Sequence, residues 1–499
     1  MARTRTRSFA PAACALVALV VLSGPETSNA WEATTTHAGL TEQAALGSLL
    51  HRRLREQLGI ERGLFASLII PPADAPELFK VLRTLNPTHG YVPDSRGQLS
   101  ALGWLTAGSV VADIPPRHAA NHFYDPAEKR GLTDATLRAH ADRLRHELGT
   151  RLTNDKIIRS GMSAVDWITS EKNPMNLNGF IDQYSKAISA ATPGERERHI
   201  AGALVGAGSL LHVLQDMGSP SHVRDDLAAH LEVVGNDSSD VGSRFERVAA
   251  LAFGRLSVPG AGTSVRLPTW RAYFTTDKYE GLADRTAQRW FSAFTLPSTA
   301  KVRPNAGVSA VDRALKKSLV RPYPAPLPRL DLEAAHTPEG AILSNDDGIC
   351  VANYRLRDND GGNRLYWTID DTCAAQQVAV ILPEVSSYST GFLDYLFRGV
   401  IEFEKRDNAW VAVAGGADFG AGTIEVFWDD GRGVRQQLGE SQTITRANTG
   451  QTVAMMPKRP EGAYALVVKF NGVDTTGQPL VAAGYLSLRQ ASKKASEGK

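Results

Sequence analysis

The sequence predicts a mainly α-helical domain followed by a C-terminal β-sandwich, and three observations lead there. Apolar residues recur at helical spacing in several segments before Gly399, period-two alternation replaces that spacing afterwards, and Gly, Asp and Asn turns punctuate the second region at regular intervals. At 499 residues the chain exceeds one core, so a division at this change of pattern is the natural one.

Residues 1–30 read as a signal peptide. Arg3, Arg5 and Arg7 precede an apolar run from Ala10 to Leu22, and Ser28-Asn29-Ala30 offers small residues for cleavage. The run falls short of the roughly 20 apolar residues a membrane helix needs, and no later stretch approaches that length. The mature chain is therefore expected to be a soluble, secreted protein, extracellular or periplasmic, beginning at Trp31.

Removing Arg3, Arg5, Arg7 and Glu26 from 55 basic and 53 acidic side chains leaves 52 of each. Such a balance lacks the clustered cations that tight nucleic-acid binding uses against phosphates. Of the three cysteines, Cys14 leaves with the leader. Cys350 and Cys373 then suggest one disulfide in an exported chain, the alternative being two buried thiols. Neither has the spacing of a zinc knuckle, so a metal here would use His, Asp and Glu.

The helical region is expected over 31–399. From Thr36 to about Gly59, Leu40, Ala44, Leu46, Leu49, Leu50 and Leu54 mark one face of an amphipathic helix, with Arg52, Arg53, Arg55 and Glu56 opposite. Thr192-Pro193-Gly194-Glu195 signals a second helix start, and Ile200, Leu204, Leu210, Leu211 and Leu214 continue it until Pro220 stops it. Residues 133–150, 160–190 and 240–256 carry weaker helical patterns. Residues 297–345 are Pro-rich and loop-like, and a β-hairpin insertion is expected near 349–370, turning at Asp358-Asn359-Asp360-Gly361-Gly362. Helical spacing returns from Ala374 to Arg398. Residues 400–499 carry the expected β-sandwich.

The residues that can carry chemistry converge on metal binding. His212 and Asp216 lie four apart on the predicted helix and project from one face. Pro220 ends that helix and turns His222 back toward it. Asp113 and His122 stand on an upstream segment, in and before the string Asn121-His122-Phe123-Tyr124-Asp125-Pro126. At the mature terminus Trp31 offers an amino group and a carbonyl oxygen, with His37 six residues on. Each alone reads as an ordinary core or surface side chain; as a set they form an oxygen and nitrogen ligand supply suited to Zn²⁺. Asp125 and Tyr124 read equally well as support for the site or as a capped turn, and Arg224 and Asp226 as solvated loop charges. Gly206-Ala207-Gly208 lacks the third glycine of a dinucleotide fingerprint and reads as close helix packing.

This combination, Trp31 with Thr36-His37, His122-Phe123-Tyr124-Asp125-Pro126 and the His-x-x-x-Asp-x-x-x-Pro-x-His run from His212 to His222, resembles the zinc-dependent phospholipase C family, which includes clostridial alpha-toxins, with zinc-dependent single-strand nucleases as more distant relatives. The resemblance covers Trp31 to about Arg398. It implies two or three zinc ions: Asp113, His122, His212 and Asp216 on one, Trp31, His37 and Asp216 on a second, and His222 with a His-x-x-x-Glu pair on a third. The chain departs from that pair, because Glu246 is preceded four residues earlier by Gly242. His230 or Asp240 could replace the missing histidine. The resemblance further implies a phospholipid substrate, metal-activated water with Asp113 as the assisting base, and membrane-surface contact through the C-terminal domain. No residue match supports the calcium sites of the toxins. Two other readings stay open, a nuclease or nucleotidase on the same scaffold and a non-catalytic, zinc-stabilised surface-binding protein.

Overall fold

The computed structural model describes residues 33–86, 88–137, 160–230, 244–296, 300–302, 331–359, 362–406, 409–458 and 460–488. The expected leader, Trp31, Asp240 and most of the 133–150 segment lie outside them. No helix among the described residues is long and apolar enough to cross a membrane.

Helices dominate before Gly399. The ones that matter for the site are α1 (Ala38–Gly47), α2 (Leu50–Leu58), α3 (Ala101–Val111), α4 (Leu177–Ser189), α5 (Pro193–Asp216), α6 (Arg244–Ala252) and α7 (Asp371–Leu396). The long helix expected over 36–59 is a correction: it breaks between α1 and α2. Ser48 is extended there, and the free Leu49 N–H that follows donates to Asp394 Oδ1 of α7 at 2.8 Å. A distant carboxylate thus offers the backbone an alternative to the helical bond. α1 buries Leu40, Thr41, Ala44 and Ala45 but leaves Leu46 of the expected apolar face exposed, and α2 turns Arg52, Arg55 and Glu56 to solvent.

α5 forms as its sequence predicts. Thr192 Oγ1 accepts from Glu195 N while the Glu195 carboxylate accepts from Thr192 N, a reciprocal cap with Pro193 in the first turn. From Ile200 onward its apolar side packs on α3 and α4. Close approach to α3 depends on two glycines. A Cβ at Gly208 would stand 1.9 Å from Leu105 O, and one at Gly108 would stand 2.0 Å from Val205 O. Gly208 therefore serves packing, as its place inside a helix suggested.

The insertion is a four-stranded antiparallel sheet in the order β1 (Ala300–Val302), β4 (Gly362–Thr368), β3 (Cys350–Asn359), β2 (Ala341–Ser344). It extends the predicted hairpin by one strand on each side. Cys350 and Cys373 are disulfide-bonded, with Cα atoms 5.1 Å apart, and this ties the insertion to the first turn of α7. The bridge spans 23 residues, for which loop-closure entropy predicts a contribution of about 3 kcal/mol. A Cys350→Ser/Cys373→Ser double variant is expected to lose about that amount in a urea denaturation series; an unchanged midpoint and slope would show that the loop is held by other contacts.

After Gly399 the chain forms β5 (Gly399–Arg406), β6 (Ala409–Gly415), β7 (Phe419–Asp429), β8 (Arg435–Gln437), β9 (Gln442–Ile444), β10 (Thr452–Met455), β11 (Ala465–Asp474) and β12 (Pro479–Ser487). The expected sandwich of two sheets is corrected here: all eight strands join one sheet, in the order β8-β7-β11-β12-β5-β6-β10 with β9 also on β7. The join is the parallel pairing of Ala482 and Ala483 with Gly399 and Val400. Glycine suits it, since a Cβ at Gly399 would meet Val481 O at 2.2 Å. Alternate residues serve two cores. Phe427, Val467 and Val481 pack with the helices, while their neighbours Val426, Val468 and Leu480 join Ile401, Phe419 and Phe470 in a separate cluster.

The sheet is clasped to the helices by polar contacts as well. Arg435, paired with Asp429 at 2.7 Å, donates to Ile188 O at the end of α4, and its own backbone N–H donates to Ala191 O at 2.8 Å. Arg196 near the start of α5 donates to Gly433 O at 2.6 Å.

Candidate metal centre

Seven side chains meet at the C-terminal end of α5. His37 closes the short helical turn Ala33–His37 that leads into α1. Asp113 follows α3, and His122 follows the turn Pro116–Asn121. His212 and Asp216 occupy the last two turns of α5 on one face, as their four-residue spacing requires. His222 sits in the turn Pro220–Val223 that Pro220 starts, and Glu246 lies in the first turn of α6. All seven are buried.

With His230, which is also buried, they form three groups able to hold a metal ion: Asp113, His122 and His212; His37, His212 and Asp216; and His222, His230 and Glu246. Within each group the donor atoms lie within 4.8 Å of one another. The first two share His212, and Asp216 turns one oxygen toward each. Its Oδ1 is 3.1 Å from His37 Nε2, while Oδ2 is 2.9 Å from His122 Nδ1 and 3.4 Å from His212 Nε2. Asp113 Oδ1 is 3.0 Å from His122 Nδ1, and Oδ2 is 3.2 Å from His212 Nε2.

His37 and His212 spend their Nδ1 hydrogens on partners outside the cluster. His212 Nδ1 stands 2.8 Å from the Ser109 carbonyl oxygen, which can only accept, so the ring carries a hydrogen there and its neutral form aims the Nε2 lone pair at the oxygens of Asp113 and Asp216. His37 repeats the arrangement: Nδ1 donates to Gln215 Oε1 at 2.7 Å and Nε2 faces Asp216. His37 Nε2, His212 Nε2, His122 Nε2, Asp216 Oδ1 and both Asp113 oxygens make no hydrogen bond, although all are buried. Lone pairs opposed to carboxylate oxygens at these distances are repulsive until a cation lies between them, so the donor set fits a metal ion.

The electrostatics point the same way. Burial works to raise both carboxyls, yet the imidazoles of His212 and its neighbours outweigh it and hold Asp113 and Asp216 below the usual carboxylate range. Burial works to lower His122, but Asp113 and Asp216 overcome it and push it up to about 10. His37 is lowered by burial and by His212, and His222 falls to about 3, chiefly through burial. Positive charge is thus drawn to the space between the two carboxylates.

The third group brings together two of the residues expected there, His222 and Glu246, and Asp240 lies outside the described residues. His230, at the end of the turn Leu227–His230, stands beside both: its Nδ1 is 3.3 Å from His222 Nε2 and 3.4 Å from Glu246 Oε1. Asp226 positions it, accepting from Ala229 N at 3.1 Å and from Ser292 Oγ at 2.5 Å. The reading of Arg224 and Asp226 as solvated charges is therefore corrected. Both are buried; Arg224 donates to Thr295 Oγ1 and to Ala287 O.

Phe123 was not singled out by sequence reasoning, although it stands in the string after His122. Its ring stacks on His222 with centroids 4.1 Å apart and meets His230 edge-on at 5.5 Å. His222 Nδ1 donates to His122 O at 3.0 Å, so the third group hangs from the segment that carries the first. Asp125 caps a turn, its Oδ1 accepting from Ala127 N at 3.0 Å, and Tyr124 is a core residue. A cavity of about 390 Å³ opens beside this segment, lined by Val223 and Arg224 after His222 and by Asp125, Lys129, Asp277 and Tyr279.

No protein family model matches the chain, and no curated protein matches it. Among solved structures, the chain is similar to an alpha toxin from Clostridium absonum, with 13% identity over 91% of this chain and 96% of that one at a TM-score of 0.27. It is also similar to an alpha-toxin of Clostridium perfringens from avian strain SWCP, with 11% identity over 92% and 98% of the two chains at 0.25. At those values the likeness carries no conclusion about activity, which rests on the donor atoms described above.

Proposed function

We propose that the chain is an exported, zinc-dependent phosphodiester hydrolase of the phospholipase C type. The observation that supports this most is the pair of buried imidazole and carboxylate groups sharing His212 and Asp216, with lone pairs aimed at a common interior. Ligands shared in this way suit two cations held close together, the arrangement used for in-line displacement at phosphorus. An all-nitrogen-and-oxygen donor set rich in histidine selects zinc over calcium or magnesium.

Zinc, when bound, would supply an acidified water and positive charge beside the phosphoryl oxygens. In this reading Asp113, whose oxygens lie 3.0 Å from His122 Nδ1 and 3.2 Å from His212 Nε2, takes the proton of the attacking water. The water oxygen bonds to phosphorus, the bond from phosphorus to the lipid alcohol breaks, and the departing lipid oxygen takes up the proton, releasing the lipid alcohol and a phosphorylated head-group alcohol. The Trp31 amino and carbonyl groups complete the His37 group in this reading, and the C-terminal sheet provides contact with a membrane surface.

Zinc content and substrate choice test the proposal together. Mass spectrometry of purified mature protein is expected to find two or three zinc ions per chain, and the protein is expected to hydrolyse phosphatidylcholine. Fewer than two ions, or turnover of single-stranded DNA alone, would refute it.

A further inference from the structure

The two histidines of the second metal group, His37 and His212, are joined behind the site by a path of hydrogen bonds that runs through Gln215, Thr41 and Ser109. His37 Nδ1 meets Gln215 Oε1 at 2.7 Å, and Gln215 Nε2 donates to Thr41 Oγ1 at 3.1 Å. Thr41 donates its hydroxyl hydrogen to Ser109 Oγ at 2.9 Å, and the carbonyl of the same Ser109 receives His212 Nδ1 at 2.8 Å. Every member is buried, and the two rings lie stacked with centroids 3.7 Å apart.

The path has a direction. Because Thr41 gives its only hydrogen to Ser109, it must accept from Gln215. The Gln215 amide is therefore turned with its nitrogen toward Thr41 and its oxygen toward His37. That oxygen can only accept, so His37 must present a hydrogen at Nδ1. The Ser109 carbonyl imposes the same requirement on His212. In their neutral forms both rings thus keep the Nε2 lone pair for the space they share with Asp113 and Asp216. Were the Gln215 amide reversed, His37 would carry its hydrogen at Nε2 and bond directly to the Asp216 oxygen 3.1 Å away.

We infer that Thr41, Gln215 and Ser109 are positioning residues that set the tautomers of His37 and His212 in advance of metal binding. The inference rests on the metal reading proposed above and extends it to three side chains from α1, α3 and α5. Outer partners of ligating histidines commonly change metal affinity about 10- to 100-fold when removed.

Thr41→Val tests this most cleanly, since valine keeps the shape, lacks the hydroxyl and touches no donor atom of the site. Zinc retention is measured by titrating the purified, zinc-loaded protein with a colorimetric chelator, beside the wild type and Thr41→Ser. Thr41→Val is expected to release zinc at about tenfold lower chelator, and Thr41→Ser, which restores the hydroxyl, to behave as wild type. Nitrogen NMR of the metal-free proteins supplies the second readout: His37 protonated at Nδ1 in the wild type, mixed or at Nε2 in Thr41→Val. Wild-type zinc retention together with an unchanged His37 tautomer in Thr41→Val would overturn the inference while leaving the metal reading intact. A wild type that takes up no zinc would overturn the metal reading itself.

Discussion

Asp216→Ala is expected to bind at least one zinc ion fewer than the wild type and to lose phosphodiester hydrolysis by about 10³-fold, since charge stabilisation by a bound cation contributes several kcal/mol to the transition state. Its carboxylate faces three imidazoles: His37 at 3.1 Å, His122 at 2.9 Å and His212 at 3.4 Å. Removing it takes one oxygen from each of two groups and leaves three buried imidazoles with one fewer counter-charge. Asp216→Asn keeps the shape and removes the charge, so comparing the two separates packing from electrostatics. Zinc stoichiometry by mass spectrometry is the decisive reading. A full complement in Asp216→Ala would mean that the site is organised without it.

A second large effect is expected from a residue that touches no donor atom. Gly208→Ala would place a methyl group 1.9 Å from the Leu105 carbonyl oxygen, and neither partner is the end of a side chain that could swing away. α3 and α5 must part, at a cost of about 1–3 kcal/mol or more for overpacking. Their separation also draws the Ser109 carbonyl away from His212, so zinc retention is expected to fall with stability. Gly194→Ala on the same helix is the control: nothing lies within 4 Å of the added carbon, and stability is expected to hold or rise by up to about 1 kcal/mol. Equal denaturation midpoints for Gly208→Ala and wild type would show that the helices are more yielding than their contacts suggest.

Much of this was legible in the chain because the signals were local. The start of α5 lies in Thr192, Pro193 and Glu195, which are each other's partners. The hairpin of β3 and β4 follows from alternation around an Asp-Gly turn. Convergence of His212, Asp216 and His222 follows from helical spacing and one proline. What was not legible depends on residues far apart. The break between α1 and α2 is made by Asp394, 345 residues away from Leu49. The single C-terminal sheet is made by a parallel pairing between its first and last strands, which no local alternation reveals. The approach of His230 to His222 and Glu246 had no signature in spacing either. It follows from Asp226 capping a four-residue turn that swings His230 toward Glu246.

α5 runs unbroken for 24 residues, about 36 Å. One extremity is gripped by the loop before β8, through Arg196 and the carbonyl contacts of Arg435; the other bears His212 and Asp216. A rod held this way transmits displacement instead of absorbing it. Whatever tilts the sheet must either carry His212 and Asp216 along or first tear guanidinium groups from their carbonyl anchors.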